Sequence, residues 1–514
     1  MMDERVRDTS VCVALFLGTF AYLHFWPHDL YPFDEGLFLY EGKRILDGEV
    51  MYRDFFEILT PGSHYVMAGL YALFGVSMET ARTGMAVLHS GIAVLIYFIC
   101  RRLGARRALA LAAAIVHPAI CYPALTIASA HWFGTGAATV LYLLVLCRAA
   151  TTRGRSFVWG VAAGIPIVVE QHRGAVMAVA AAAMLVMDHV LEQRSGTSRQ
   201  ADLAGKAAAY TAGVLGVVLP VLLAFVAVAG FDAVFRALVR HPLDNYRRIV
   251  RDVPWGAYLS VSLGIPFLLK YLPPVFIPAA AVRAAWQWVA GANRAQQRPL
   301  LVAVIFSGFA VLAIAYLPDA LHLALAGPIW FPVVAESLER LARLLERAAG
   351  ASQIPGNVIA FLLLAALALQ SRRNMEVQRS RYPFPHQTVF GRVDFASQED
   401  VDRLNWLVQL LRDAGAREIF VYPCYPALYL LTQTHNPTRY QIVLPRGYTD
   451  RDQIEEIIAT LEARRVPFVV RNLYVNLAGI DLLPAYLQRH YRPLKFPGER
   501  GGVPALAVSE RTPD

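Results

Sequence analysis

The chain has 514 residues, 56% of them hydrophobic, and a mean hydropathy of +0.42, more than a water-soluble globular protein of this length carries. It is read as a polytopic membrane protein. The formal net charge of +9 does not indicate nucleic acid as a partner, because most arginines sit in short loops between apolar runs, where they act as topology signals.

The first apolar run, Val11 to Trp26, follows a polar stretch with Arg5 and Arg7. No small-residue cleavage site follows it, so it is expected to stay as a span at 11–27 and not to leave as a signal peptide. Residues 28–79 then form a long loop. Pro32 and Asp34 mark a helix start and Gly48 its stop, while Thr60 and Pro61 offer an N-cap and a first-turn proline for a second helix. Leu37, Phe38, Ile45 and Leu46 alternate with Glu41, Lys43 and Arg44, the pattern of an amphipathic helix at a membrane surface.

Further apolar runs follow at 80–100, 107–122, 131–148, 156–169, 174–190, 206–229, about 262–290, 300–317, 321–338 and 357–370, making about eleven spans. The stretch around Glu170, Gln171, His172 and Arg173 would lie near the centre of a single overlong helix; two short helices joined there avoid burying those charges in lipid. Segment 231–256 carries five arginines and reads as a second surface helix, and the first half of 257–290, broken by Lys270 and the Pro273-Pro274 pair, reads as interfacial. Arginine clusters in alternate loops put the N-terminus in the cytoplasm and, with eleven spans, the C-terminal part outside.

Beyond the last span the composition turns charged and mixed. Helix and strand patterns alternate through EDVDRLNWLVQLLRDAG, REIFVYP, RDQIEEIIATLEARR and VPFVVRN, which predicts a small α/β layer with a few parallel strands. The expected division is 1–371 for the membrane domain and 372–514 for this outer α/β domain. Tyrosines in CYPALYLLTQTHNPTRY suit either sugar stacking or packing onto the membrane domain. Cys12, Cys100, Cys121, Cys147 and Cys424 lack metal-ligand spacing, so neither a disulfide framework nor a zinc site is indicated.

A first span, an Asp-Glu pair, an amphipathic helix, a second short helix in TPGSHYVMAGLYALFG, a polar outer hairpin at Glu170 to Arg173 and an outer turn LPDALHLALAGP at 317–328 together resemble the GT-C superfamily of membrane glycosyltransferases. The similarity is to the branch of protein O-mannosyltransferases and lipid A aminoarabinose transferases. It implies inverting transfer of a sugar from a polyprenyl-phosphate carrier, the donor substrate, to an acceptor outside the cytoplasmic membrane. By that resemblance Asp34 is the candidate base, with Glu35 as a second catalytic carboxylate that holds a metal or orients the acceptor. A divalent metal stays undetermined, and Asp34 or Glu35 would bind it if present.

Such a reaction needs cations on the leaving phosphate. Arg173 is the first candidate, with Lys43 and Arg44 behind it. His64, His131, Gln171, His172 and His322 are candidate cavity-lining residues. Simpler roles stay open beside these: an Asp-Glu pair also serves as a plain helix-start dipole complement, and an interfacial arginine also anchors to phospholipid head groups. The rival from another class is a transporter or flippase of lipid-linked sugars, which typically carries mid-membrane ionisable residues and repeated halves. No such repeat is visible in the sequence.

Overall fold

The computed structural model describes residues 2–121, 127–195, 202–246, 265–315, 320–348, 350, 354–445, 447–473, 482–497 and 506–513. Apolar runs of this length fold as helices because lipid offers the backbone no hydrogen-bond partner. Helices occupy every one of the expected span positions. They are α1 (Met2–His24), α4 (Met78–Arg102), α5 (Arg107–Val116, continued by a π-helical turn His117–Cys121), α6 (Ala130–Cys147), α7 (Arg153–Val169), α8 (Gln171–Arg194), α9 (Leu203–Ala229), α11 (Ile265–Val289), α12 (Arg294–Leu312), α13 (Ala320–Ala348) and α14 (Ile354–Arg381). Eight of them, all but α5, α7 and α11, are long and apolar enough to cross a membrane on their own. The protein is a multi-pass membrane protein.

The helix pair at Glu170 is a hairpin. The residue has extended backbone (φ −156°, ψ 103°) between α7 and α8. Behind it, α7 and α9 approach so closely at Gly160 and Gly213 that a Cβ at either would collide with the opposite backbone, the small-residue contact that lets membrane helices touch. At the end of the bundle opposite the long first loop, cations of the basic loops pair with carboxylates: Arg298 with Asp188 (2.7 Å), Arg106 with Glu339 (2.9 Å) and Glu346 (2.7 Å), Lys206 with Glu192 (2.8 Å).

The long first loop forms the two expected helices, α2 (Asp34–Leu46) and α3 (Gly62–Phe74). Gly48, at φ 95°, ends the first in a conformation that favours glycine. Two details differ from expectation. Thr60 does not cap α3; its hydroxyl donates to Ile167 O (2.8 Å) and its N–H to Gln171 Oε1 (2.9 Å), which stitches the loop to the α7–α8 hairpin. Nor does α2 turn its polar side to water, since Glu35, Glu41 and Arg44 are all buried. A second layer covers that face.

The layer comes from the C-terminal part. Strands β1 (Phe384–Thr388) and β2 (Gly391–Phe395) make a hairpin pinned to the first turn of α4, where Met78 N–H donates to Phe390 O (2.7 Å) and Arg392 N–H to Glu79 Oε1 (2.8 Å). After α15 (Gln398–Asp413), strands β3 (Ile419–Tyr422), β4 (Phe468–Asn472), β5 (Tyr491–Leu494) and β6 (Leu506–Arg511) form a sheet in the order β3-β4-β6-β5. Only β3 and β4 run parallel; the other pairs are antiparallel, so the sheet is mixed where parallel strands were expected. The helix α14 extends to Arg381, past the expected boundary at 371.

Docking is close. Between β3 and α17 (Arg451–Ala463), helix α16 (Ala427–Thr432) lies against α2, and a Cβ on Gly36 would come within 2.6 Å of Ala427 N. Tyr40 stacks on Tyr429 at 4.6 Å, its hydroxyl accepts from Asn436 N–H (2.8 Å), and Gln441 donates to Glu41 (3.1 Å). Of the tyrosine-rich stretch, Tyr429 and Tyr440 are buried and Tyr425 is half-buried, which matches the packing alternative for the first two. The arginine-rich segment is helical from Phe231–Phe235 (α10) through π turns to Tyr246, where His241 donates to Tyr448 O (2.9 Å). Its remainder, residues 257–264 of the expected interfacial stretch and positions 317–319 of the outer turn lie outside the described residues, while Lys270 and the Pro273-Pro274 pair run on within helix α11.

Candidate functional site

Helix α2 begins at the Asp-Glu pair, and consecutive helical residues point about 100° apart. The two carboxylates therefore meet different surroundings. Glu35 is fully buried against α4, where Arg82 Nη1 and Nη2 reach its two oxygens at 2.5 and 3.1 Å. Backbone N–H groups of Ala128 (2.7 Å) and Tyr31 (2.9 Å) complete its shell. Such a carboxylate has its lone pairs occupied.

Asp34 lies within electrostatic reach of His131, at the start of α6, and His322, near the start of α13. Burial pushes its carboxyl up from the ordinary aspartate range, and the two histidines pull it back. Through His131 the cluster continues into the hairpin: Glu170 Oε1 lies 2.9 Å from His131 Nδ1 and 3.3 Å from Arg173 Nε. His172 sits within electrostatic reach of Glu170, Arg173, His131 and His322. Gly134, one turn along α6, makes room for the Glu170 carboxylate, since a Cβ there would strike it. Burial alone would raise the Glu170 carboxyl, but Arg173 and His131 outweigh it and hold it below the usual range.

Arg173 is buried; its Nε faces Glu170 in the ion pair at 3.3 Å, while Nη1 and Nη2 have no hydrogen-bond partner among the described residues. Guanidinium groups in low dielectric normally have theirs filled. These two nitrogens are open toward a second anion.

The structure thus brings together Asp34, His131, His172, His322 and Arg173 of the residues expected from sequence, and adds Glu170. Others are elsewhere. Arg44 is committed to Glu49 (2.6 Å), Asp54 O and Thr438 O, and Lys43 pairs with Asp47 along the outer side of α2. Gln171 is engaged with Thr60 and Ile58 O (2.6 Å). His64 is buried beside Glu41 Oε2 (3.0 Å) under α2. With Glu57 these make the group of three ligand-capable side chains, their atoms within 4.8 Å of one another, that could enclose a cation or share a proton. Neither Asp34 nor Glu35 belongs to such a group among the described residues. An apolar groove of about 400 Å³ between α1, α5 and the end of α14, bordered by Leu15, Tyr22, Ile115 and Ser371, is separate from all of these residues.

The bundle, its carboxylate-bearing first loop and the small α/β layer together have the GT-C fold. The crystal structures of ArnT from Cupriavidus metallidurans, one bound to undecaprenyl phosphate and one in the apo state, each match 99% of this chain and 98% of their own, at TM-score 0.55 and 14% identity. The protein O-mannosyltransferase Pmt1-Pmt2 complex of S. cerevisiae, bound to the sugar donor, matches 44% of this chain and 34% of its own, at TM-score 0.35 and 17% identity. Neither a protein-family model nor a curated protein sequence matches the chain.

Proposed function

We propose that the protein is an inverting glycosyltransferase that moves a sugar from a polyprenyl-phosphate carrier to an acceptor outside the cytoplasmic membrane. The observation that carries this reading is the cluster itself: Asp34, a carboxylate with no hydrogen-bond partner among the described residues, and a buried arginine with two open donors, Arg173, linked through His131 and Glu170. The fold is shared with a protein that binds undecaprenyl phosphate, which supports the carrier class.

The acceptor hydroxyl attacks the anomeric carbon and gives its proton to Asp34. The bond from that carbon to the phosphate oxygen breaks, and its electron pair leaves with the carrier phosphate. Arg173 meets the charge that develops there, in surroundings where such a contact is worth more than in water. Glu35, closed by Arg82, sets the orientation of the first turn of α2 and takes no part in proton transfer.

Asp34→Asn keeps shape and hydrogen bonding but loses basicity. It should cut sugar transfer on the order of 10² to 10⁴-fold while undecaprenyl phosphate still binds. Transfer at a rate near wild type would remove Asp34 as the base. Lipid translocation without sugar transfer by the wild-type protein would return the chain to the transporter class.

A further inference from the structure

Asp34 and Arg173 account for a base and a phosphate cation, but neither explains why a fully buried carboxylate should face the ring of His131. Glu170 Oε1 is 2.9 Å from His131 Nδ1, and Gly134 keeps the carboxylate's space clear. This contact fixes the imidazole so that Nδ1–H points at the hairpin and Nε2 points away from it. Nε2 has no partner among the described residues, and the side chain is 32% exposed in an otherwise buried cluster.

We propose that His131, oriented by Glu170, donates a hydrogen bond through Nε2–H to the oxygen of the departing carrier phosphate. The inference rests on the glycosyltransferase reading above and deepens it. In the step, the anomeric carbon–oxygen bond to phosphate breaks, the bond to the acceptor oxygen forms and the acceptor proton goes to Asp34. The imidazolium keeps its own proton and lends it as a hydrogen bond.

The charges around the ring fit this state. Asp34 from α2 and Glu170 from the hairpin supply two negative charges, against one fixed positive charge on Arg173; His172, His322 from α13 and His64 from α3 are the other titratable groups facing it. When it carries both protons, the ring offers the phosphate a second cation beside Arg173. Glu170 is thereby a positioning residue with two clients, holding the ring at Nδ1 and the guanidinium at Nε.

The test uses the purified full-length protein in detergent and undecaprenyl phosphate as the probe, with Kd measured from pH 5.5 to 9. At each pH the variant is divided by the wild type, which cancels the phosphate's own second ionisation near pH ~6. His131→Gln should bind on the order of tenfold more weakly at pH ~6, and the ratio should fall toward one by pH ~9, where an ordinary histidine is neutral. Glu170→Gln keeps the shape and removes the charge, so affinity should drop with its pH midpoint moved to lower pH. Should His131→Gln fail to fold, that midpoint shift decides alone. Arg173→Ala, the comparison, should lose affinity at every pH.

A His131→Gln ratio near one throughout, or a loss independent of pH, overturns the proposal and leaves His131 an interfacial polar group. A Glu170→Gln profile with an unmoved midpoint does the same. No binding by the wild-type protein overturns the glycosyltransferase reading together with it.

Discussion

Asp34 and Glu35 are neighbours in sequence and opposites in environment. One lies within electrostatic reach of histidines, while the other is locked in a bidentate contact with Arg82, which also donates to Asp29 O. Breaking a buried ion pair from one side strands the partner's charge, at a typical cost of about 3 to 5 kcal/mol. Glu35→Gln is therefore expected to lower the thermal unfolding temperature of the detergent-purified protein markedly, and adding Arg82→Gln should recover part of the loss. An unchanged melting temperature in Glu35→Gln would mean that the pair contributes nothing to the fold. None of this was legible from position 35: its partner is 47 residues away, on a helix whose sequence reads only as a span. The Glu170–His131 contact was hidden in the same way, since 39 residues and two helices separate the pair. What could be read was that polar residues gathered at one hairpin and one loop.

At the scale of elements, spans and the hairpin were readable because lipid imposes length and apolarity on each segment by itself. The polar face of α2 was misread because charge on a helix looks the same whether it meets water or a second layer. That face carries Glu41, and burial pushes both Glu41 and Glu57 up from the ordinary glutamate value to about 8. A folded-state value above the unfolded one means that the native state holds extra protons between pH ~4.5 and ~8, so stability is complete below that window and is lost as pH rises through it. In metal-free buffer the melting temperature should therefore fall, by about 2 °C or more, between pH ~5 and ~8.5. Glu57→Gln should flatten the slope. A wild-type melting temperature indifferent to pH over this window would show that the pair is relieved in some other way.

For the whole molecule, cations of the basic loops pair with carboxylates at one end of the bundle while the Asp34 cluster and the α/β layer lie at the other, and the proposed orientation, basic end in the cytoplasm, is open to a direct test. A cysteine introduced at Gln398 should react with a membrane-impermeant thiol reagent in intact cells whose outer membrane, if they have one, is permeabilised; a cysteine at Gly196 should not. Labelling in the reverse pattern would put the cluster in the cytoplasm and deprive it of an extracytoplasmic acceptor.

The interlock between α2 and the C-terminal layer has a consequence in time. Tyr40 meets Asn436 across 396 positions and Glu41 meets Gln441 across 400, so the helix that carries Asp34 is among the first parts of the chain made and among the last to be clamped. Contacts that distant are slow to form, and domains build in order of synthesis. During translation α2 waits uncovered while every later span inserts. A ribosome that stalls before the segment from Ala427 to Gln441 therefore leaves a membrane-integrated bundle whose α2, with Asp34, stays uncovered.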